Sequence, residues 1–203
     1  DWKFSDLNQI ISSNIKNLNF YNNLLPEKVD ESIFVNKFEH NKITFINGVI
    51  SNFDLSYEDE TKVSLSKNLD FSKNHNESNP LISLNNAFAS GYIGITVKES
   101  YSFKCPLIIY NITNNALKST ALNIRTDIIL EKNSNLKLIT LFDDSSGGNF
   151  INIVQNFDIA KDAILKNYKV DHKINSNIKY IYNNINLEKN SISENFIFST
   201  GSK

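Results

Sequence analysis

The chain reads as a mainly β protein built as a β-solenoid, and three observations carry that expectation. A turn is repeated: LEKNS stands at 130–134 and again at 187–191, with IAKDA at 159–163 between them, so that Leu130, Ile159 and Leu187 lie 29 and 28 residues apart. Each turn joins two apolar stretches rich in Ile, Phe, Tyr and Val, in DIILEKNSNLKLITLF (127–142), QNFDIAKDAILKNYKV (155–170) and NNINLEKNSISENFIF (183–198). Alternation inside those stretches is a strand signal. The third observation is composition: 203 residues, 40% hydrophobic and 21% charged, suit one folded body rather than a disordered chain.

Taken in order, the N-terminal part differs from the rest. SDLNQIISSNIKNLNF (5–20) carries a weak helical pattern with Ser5 as its cap. KITFINGVISNFDLS (42–56) predicts a β-hairpin turning at Asn47-Gly48, a pair that suits the left-handed backbone of a type I′ turn. LSKNLDFSKNHNESN (65–79) reads as a loop. NPLISLNNAFASG (79–91) predicts a short helix capped by Asn79, with Pro80 first inside it, Gly91 past its end, and Leu81, Leu84 and Phe88 on one face. Residues 1–91 are thus a small α/β N-terminal region, and 92–203 are the repeating strands.

IGITVKESYSFKCPLIIY (93–110) is an earlier, looser copy of the unit, with Val97 taking the place of Leu130 33 residues ahead of it. In the next copy Ile128, Leu130, Leu136, Leu138 and Thr140 share a face, and in the last Ile185, Leu187, Ile192, Phe196 and Phe198 are the expected core residues. Glycine is rare, so the turns rely on Asn and Asp, which tolerate left-handed backbone. One strand–turn–strand unit cannot hide its apolar face. Four buried apolar side chains contribute roughly 6–12 kcal/mol, against a backbone ordering cost of about 1–2 kcal/mol for every residue. Stacked units share one apolar strip and hold together where a single unit fails.

Charge and cysteine content narrow the function classes. A net charge of −1 and a pI near 6.4 offer no basic stripe for nucleic acid and no polybasic cluster for a membrane surface. A single cysteine, Cys105, rules out an internal disulfide. The opening DWKFSDLNQI has neither the basic nor the apolar segment of a secretory signal, and no apolar run approaches a bilayer span, so a reducing, cytoplasmic setting is expected.

Chemistry-bearing residues are scattered. His40, His75 and His172 have no His or Cys partner at ligand spacing, which argues against a zinc site and against a Ser-His-Asp arrangement. Cys105, next to Pro106 in an apolar stretch, reads as a small buried hydrophobe in preference to a thiolate ligand, since only Lys104 is electropositive nearby. FDDSSGG (142–148) has two readings: Asp143 and Asp144 as a cation site or acid–base pair, or a wide turn between strands, which the composition favours. Gly147-Gly148 lacks the Lys-Ser/Thr of a phosphate loop. Two glycosylation sequons, at 76–78 and 111–113, mean little without secretion, and the tyrosines of KYIYNN (179–184) read as packing residues sooner than as a sugar platform. No catalytic residue, cofactor-binding residue or metal ligand is assigned, and a non-enzymatic role is expected.

The order of these elements resembles the SufB/SufD family of iron–sulfur cluster assembly proteins. DWKFSDL (1–7), with Trp2, is similar to the opening motif of its SufD branch, and ITFINGVI (43–50) to its hairpin. LISLNNAFASGYIGITVKESYSFKCPLIIYNI (81–112) resembles a stretch shared by both branches. IRTDIILEKNSNLKLITLF (124–142) resembles a rung that begins with arginine, here Arg125, although Thr140 and Leu141 stand where the family often has a glutamate. NFDIAKDAILKNYKV (156–170) and SISENFIFSTGSK (191–203) continue the pattern.

The resemblance implies a right-handed parallel β-helix and a non-catalytic scaffold in the cytoplasmic SUF complex. The partners it implies are a SufB-like paralogue and a SufC-like ATPase, with neither nucleic acid nor membrane involved. The cluster is then assembled in the full complex and no cofactor resides on this chain. It also implies that later rungs and the ATPase-binding segment lie beyond Lys203, so that no functional residue of the family maps onto a position here. The alternatives are a secreted polysaccharide-active β-helix enzyme or a generic binding solenoid.

Overall fold

A computed structural model describes residues 9, 12, 13, 15, 17–20, 31–68, 79–145, 147–171 and 177–199. Trp2 and its motif, the Ser5 cap, His75, His172, the 76–78 sequon and most of the 65–79 loop lie outside the described residues. Strands alternate between two sheets as the chain winds. β4 (Gly91–Val97), β6 (Ala121–Leu130), β8 (Phe150–Ile159) and β10 (Ile178–Leu187) run parallel in one sheet, called C here. β5 (Leu107–Thr113), β7 (Asn135–Asp144), β9 (Ile164–Asp171) and β11 (Ile192–Ser199) run parallel in the other, called B. The result is a β-solenoid of about four turns.

The repeated turn explains itself in this geometry. Val97, Leu130, Ile159 and Leu187 pair one above the next in a single column, with Leu130 and Ile159 fully buried. The third residue of each turn, Ser100, Asn133, Asp162 and Asn190, has φ of 59°, 58°, 58° and 58°. Asn and Asp accept this left-handed backbone more readily than bulkier residues do. The amides of Ser100, Asn133 and Asp162 then donate to Lys132, Lys161 and Lys189 carbonyls in the turn above, at 2.8, 3.1 and 3.1 Å. Every coil therefore needs a left-handed residue at the same place, and the sequence writes one each time.

The N-terminal hairpin is β1 (Asn41–Ile46) and β2 (Val49–Asp54), and Asn47 and Gly48 both have positive φ, 50° and 78°. β1 pairs in parallel with β5, so the hairpin continues sheet B, while β3 (Val63–Ser66) pairs antiparallel with β4 and ends sheet C. Leu65 and Ser66 of the expected loop are thus strand. The hairpin turn also dictates Gly91, where a Cβ would sit 2.2 Å from the Gly48 carbonyl oxygen.

Helix α1 (Pro80–Phe88) starts as expected, with the Asn79 side chain accepting from the Leu81 amide at 2.9 Å. Its buried face differs from the expected one: Leu81, Ile82 and Asn85 point inward, and Phe88 is exposed. The reason is polar. Asn85 Nδ2 donates to the carbonyls of Ile124 and Asn152 at 3.0 Å each, and Asn152 Nδ2 returns a 2.7 Å bond to the Leu81 carbonyl. With Ile15, Leu81 covers Ala121 and Phe150 on the outer face of sheet C.

The inward face of the second coil, Ile128, Leu130, Leu136, Leu138 and Thr140, is buried as the alternation predicts. The last coil departs from expectation. Pairing of Ser193 with Leu165 and Ile197 with Lys169 turns Ser193, Asn195 and Ile197 inward, and places Ile192, Phe196 and Phe198 on the outer face of sheet B. Leu187 keeps its interior column but is 54% exposed, because no further strand is stacked on it among the described residues.

Candidate functional site

The interior changes character along the solenoid axis. Ile93 on β4 is followed in its column by Thr126, Gln155 and Asn183. Ile109 on β5 is followed by Thr140, Lys169 and Ile197. In these two columns polar side chains replace apolar ones at the second and third coils, and Lys169 sits among them with only 3% of its surface exposed. Its Nζ donates to Asn183 Oδ1 at 2.5 Å, and among the described residues no carboxylate pairs with it. Burial pushes its pKa down to about 8, because the low-polarity interior disfavours the ammonium form. Around it Gln155 Oε1, Thr140 Oγ1 and Asn167 Oδ1 are buried and meet no described donor. A desolvated amine among acceptors can hold a polar group, yet a second group able to exchange a proton with substrate is missing from the cluster.

A different buried charge closes the edge of the solenoid where sheet B returns to sheet C. Lys179 Nζ lies 2.7 Å from Asp144 Oδ2 and 2.8 Å from both Asp171 oxygens, over the Phe142 ring at 5.0 Å. Thr113 donates to Asp144 Oδ1 at 3.0 Å. Asp144 is therefore an interior ion-pair partner at the end of β7, not part of a turn, and Asp143, its neighbour in the strand, faces the opposite side. The two cannot act as a carboxylate pair. The turn begins beyond Asp144, with Gly148 at φ 74°.

On the outer face of sheet C, next to α1, runs an open groove of about 490 Å³. Pairing lines up Ser66, Gly94, Asp127, Asn156 and Asn184 in one column, and Ser64, Thr96, Ile129, Asp158 and Asn186 in the next. Asn156 donates to Asp127 at 2.5 Å and Asn186 to Asp158 at 2.7 Å. Arg125, buried at the groove edge, reaches Asp127 at 3.1 Å through Nε and Asn86 of α1 through Nη1. Its role is to tie helix to sheet.

The remaining sequence candidates stand apart from one another. His40 is buried, with Nδ1 3.0 Å from the Phe38 carbonyl and Nε2 3.0 Å from Tyr110 Oη. Both ring nitrogens are thereby engaged, which is the behaviour of a packed histidine. Cys105 lies in the bend before β5 rather than in a strand, half-buried, and burial raises its thiol pKa. Its backbone amide helps hold the buried Glu58 carboxylate, which also accepts from Asn41 at 2.7 Å and Tyr101 Oη at 2.8 Å. Asn111 of the second sequon is buried in β5, out of reach of a glycan. Tyr180 packs under α1, its hydroxyl 2.8 Å from Asn79 Nδ2. Among the described residues no three His, Cys, Asp or Glu side chains gather to hold a metal ion, and no helix is long and apolar enough to cross a membrane.

Sequence reasoning did not single out Lys169, although a signal was present. The repeat aligns it with Thr140, a position already assigned inward, so the lysine had to enter the interior. Apolar residues on both faces of β9 masked this. The class of protein is clear from the geometry: a two-sheet β-solenoid whose largely apolar interior carries a polar cluster around Lys169. No protein-family model matches the chain, and no curated protein does.

Proposed function

We propose that this chain is a non-catalytic assembly scaffold of the SufD type, working in a cytoplasmic SUF iron–sulfur cluster assembly complex with a SufB-like paralogue and a SufC-like ATPase. The observation that carries the reading is the architecture: parallel strands stacked in two sheets as a β-solenoid, which is the fold the order of sequence motifs implies for such a scaffold. That order of motifs supplies the identity of the partners, and the scattering of titratable groups favours a structural role.

Co-expression with a SufB-like and a SufC-like chain tests it. A stable complex on size exclusion is expected. Failure of the parent chain to enter any such complex overturns the reading.

The groove on sheet C favours a second reading, that of a solenoid binding a neutral saccharide. Its serines, threonine and asparagines both donate and accept hydrogen bonds, as hydroxyl-rich chains require. Asp127 and Asp158 are already engaged by amides, which suits binding over cleavage. Binding of a neutral saccharide that Asn184→Ala abolishes would support this reading, whereas cleavage of polyuronate by the pure chain would replace it with an enzymatic one.

A further inference from the structure

We infer that the outer face of sheet B is a docking surface for an extended segment of a partner polypeptide, an aromatic residue between two aliphatic ones. Two outward columns cross that sheet. One runs Lys42, Ile108, Ile139, Tyr168, Phe196, and the other Thr44, Tyr110, Leu141, Val170, Phe198. The chain itself covers their first half. Ile33, Phe34 and Val35, which close and follow a short 3-10 turn, pack with Ile139 and Leu141 against Ile108, Tyr110 and Ile112.

Three contacts fasten that segment. The Val35 amide donates to Tyr110 Oη at 3.1 Å, the Phe34 ring meets the Tyr110 ring edge-on at 4.9 Å, and Lys42 Nζ stands 5.4 Å over the Phe34 ring. The second half of the same columns is bare. Tyr168 is 38% exposed, Phe196 58% and Phe198 49%, with Tyr168 and Phe196 rings 6.5 Å apart. Contiguous exposed aromatics on a soluble surface mark an interaction site. Here the surface continues one that already holds a peptide segment, with a tyrosine hydroxyl again beside apolar side chains. The occupant is therefore of the same chemistry as Ile33-Phe34-Val35. This face is lateral, and the inference does not depend on the assembly role proposed above.

The test uses the whole chain, isotopically labelled, and the synthetic peptide ESIFVNKF, which copies residues 31–38. Titration to millimolar peptide should shift the NMR signals of Tyr168, Val170, Phe196 and Phe198. Phe196→Ser should weaken binding at least tenfold, and so should Tyr168→Ser, a second variant in case the first disturbs the edge strand. A peptide with serine for the aromatic should not bind. Absence of shifts overturns the inference. Shifts confined to Ile108 and Tyr110 overturn it too, since they report displacement of the native segment. So do shifts that follow protein concentration without peptide, which report self-association.

Discussion

Replacing Lys169 by methionine tests the physical reading of the interior. The folded chain holds this amine near pKa 8 instead of 10.5, through burial. Below about pH 8 the amine is charged in both states, and the folded state alone carries the desolvation cost. As pH rises from about 8 towards 10.5 the folded amine loses its proton first, the cost disappears, and stability increases. The whole difference corresponds to roughly 3 kcal/mol, most of which is regained between pH 7 and pH 10. Methionine keeps the length and removes the charge, and half-buried Asn183 remains open to hydration. Urea unfolding of parent and K169M at pH 7, 8, 9 and 10 gives the difference in unfolding free energy at each pH, in which the other lysines cancel. That difference should move by roughly 2–3 kcal/mol in favour of the parent as pH rises. A difference constant to within about 0.5 kcal/mol would refute the buried, unpaired ammonium.

Three further outcomes are expected. Leu130→Asp puts a carboxylate at the centre of the column and should cost roughly 5 kcal/mol or more, whereas Leu187→Asp, in the same column but half-exposed, should cost under about 1 kcal/mol, as read by denaturant midpoints. At Asn133, with φ 58°, alanine should lower stability by about 1 kcal/mol while glycine leaves it unchanged or raised. Gly91→Ala pushes a methyl against the Gly48 carbonyl and should cost roughly 3 kcal/mol, visible as a lowered melting temperature, and wild-type melting would mean the hairpin turn does not press on β4.

Much of the fold was legible because its signal is local and repeated. The turn spacing, the Asn47-Gly48 hairpin and the Asn79 cap each need only a few neighbouring residues to be recognised. Phe196 and Phe198 show where local reading fails. The last strand has apolar residues on both of its faces, so alternation alone cannot say which face is inside. The repeat alignment does say it, by setting Phe196 above Tyr168 and Ile139. Leu84 packs beside Leu81 as expected, but Phe88 failed for another reason: a buried asparagine, Asn85, sets the roll of α1 through two backbone carbonyls, and helical periodicity carries no information about those distant partners.

By itself the sequence determined which residues stack along the axis, because a repeat of 28 or 29 residues brings like positions to neighbouring rungs whatever the cross-section. Only the tertiary structure decided what faces what across the two sheets. Lys169 meets Asn183, and Lys179 meets Asp144 and Asp171, through the closing of each coil. The same closing sets which stretches of outer surface lie under α1 or residues 33–35 and which stay bare. Such partners are distant along the chain and share no periodicity, so their meeting depends on how the coil folds shut.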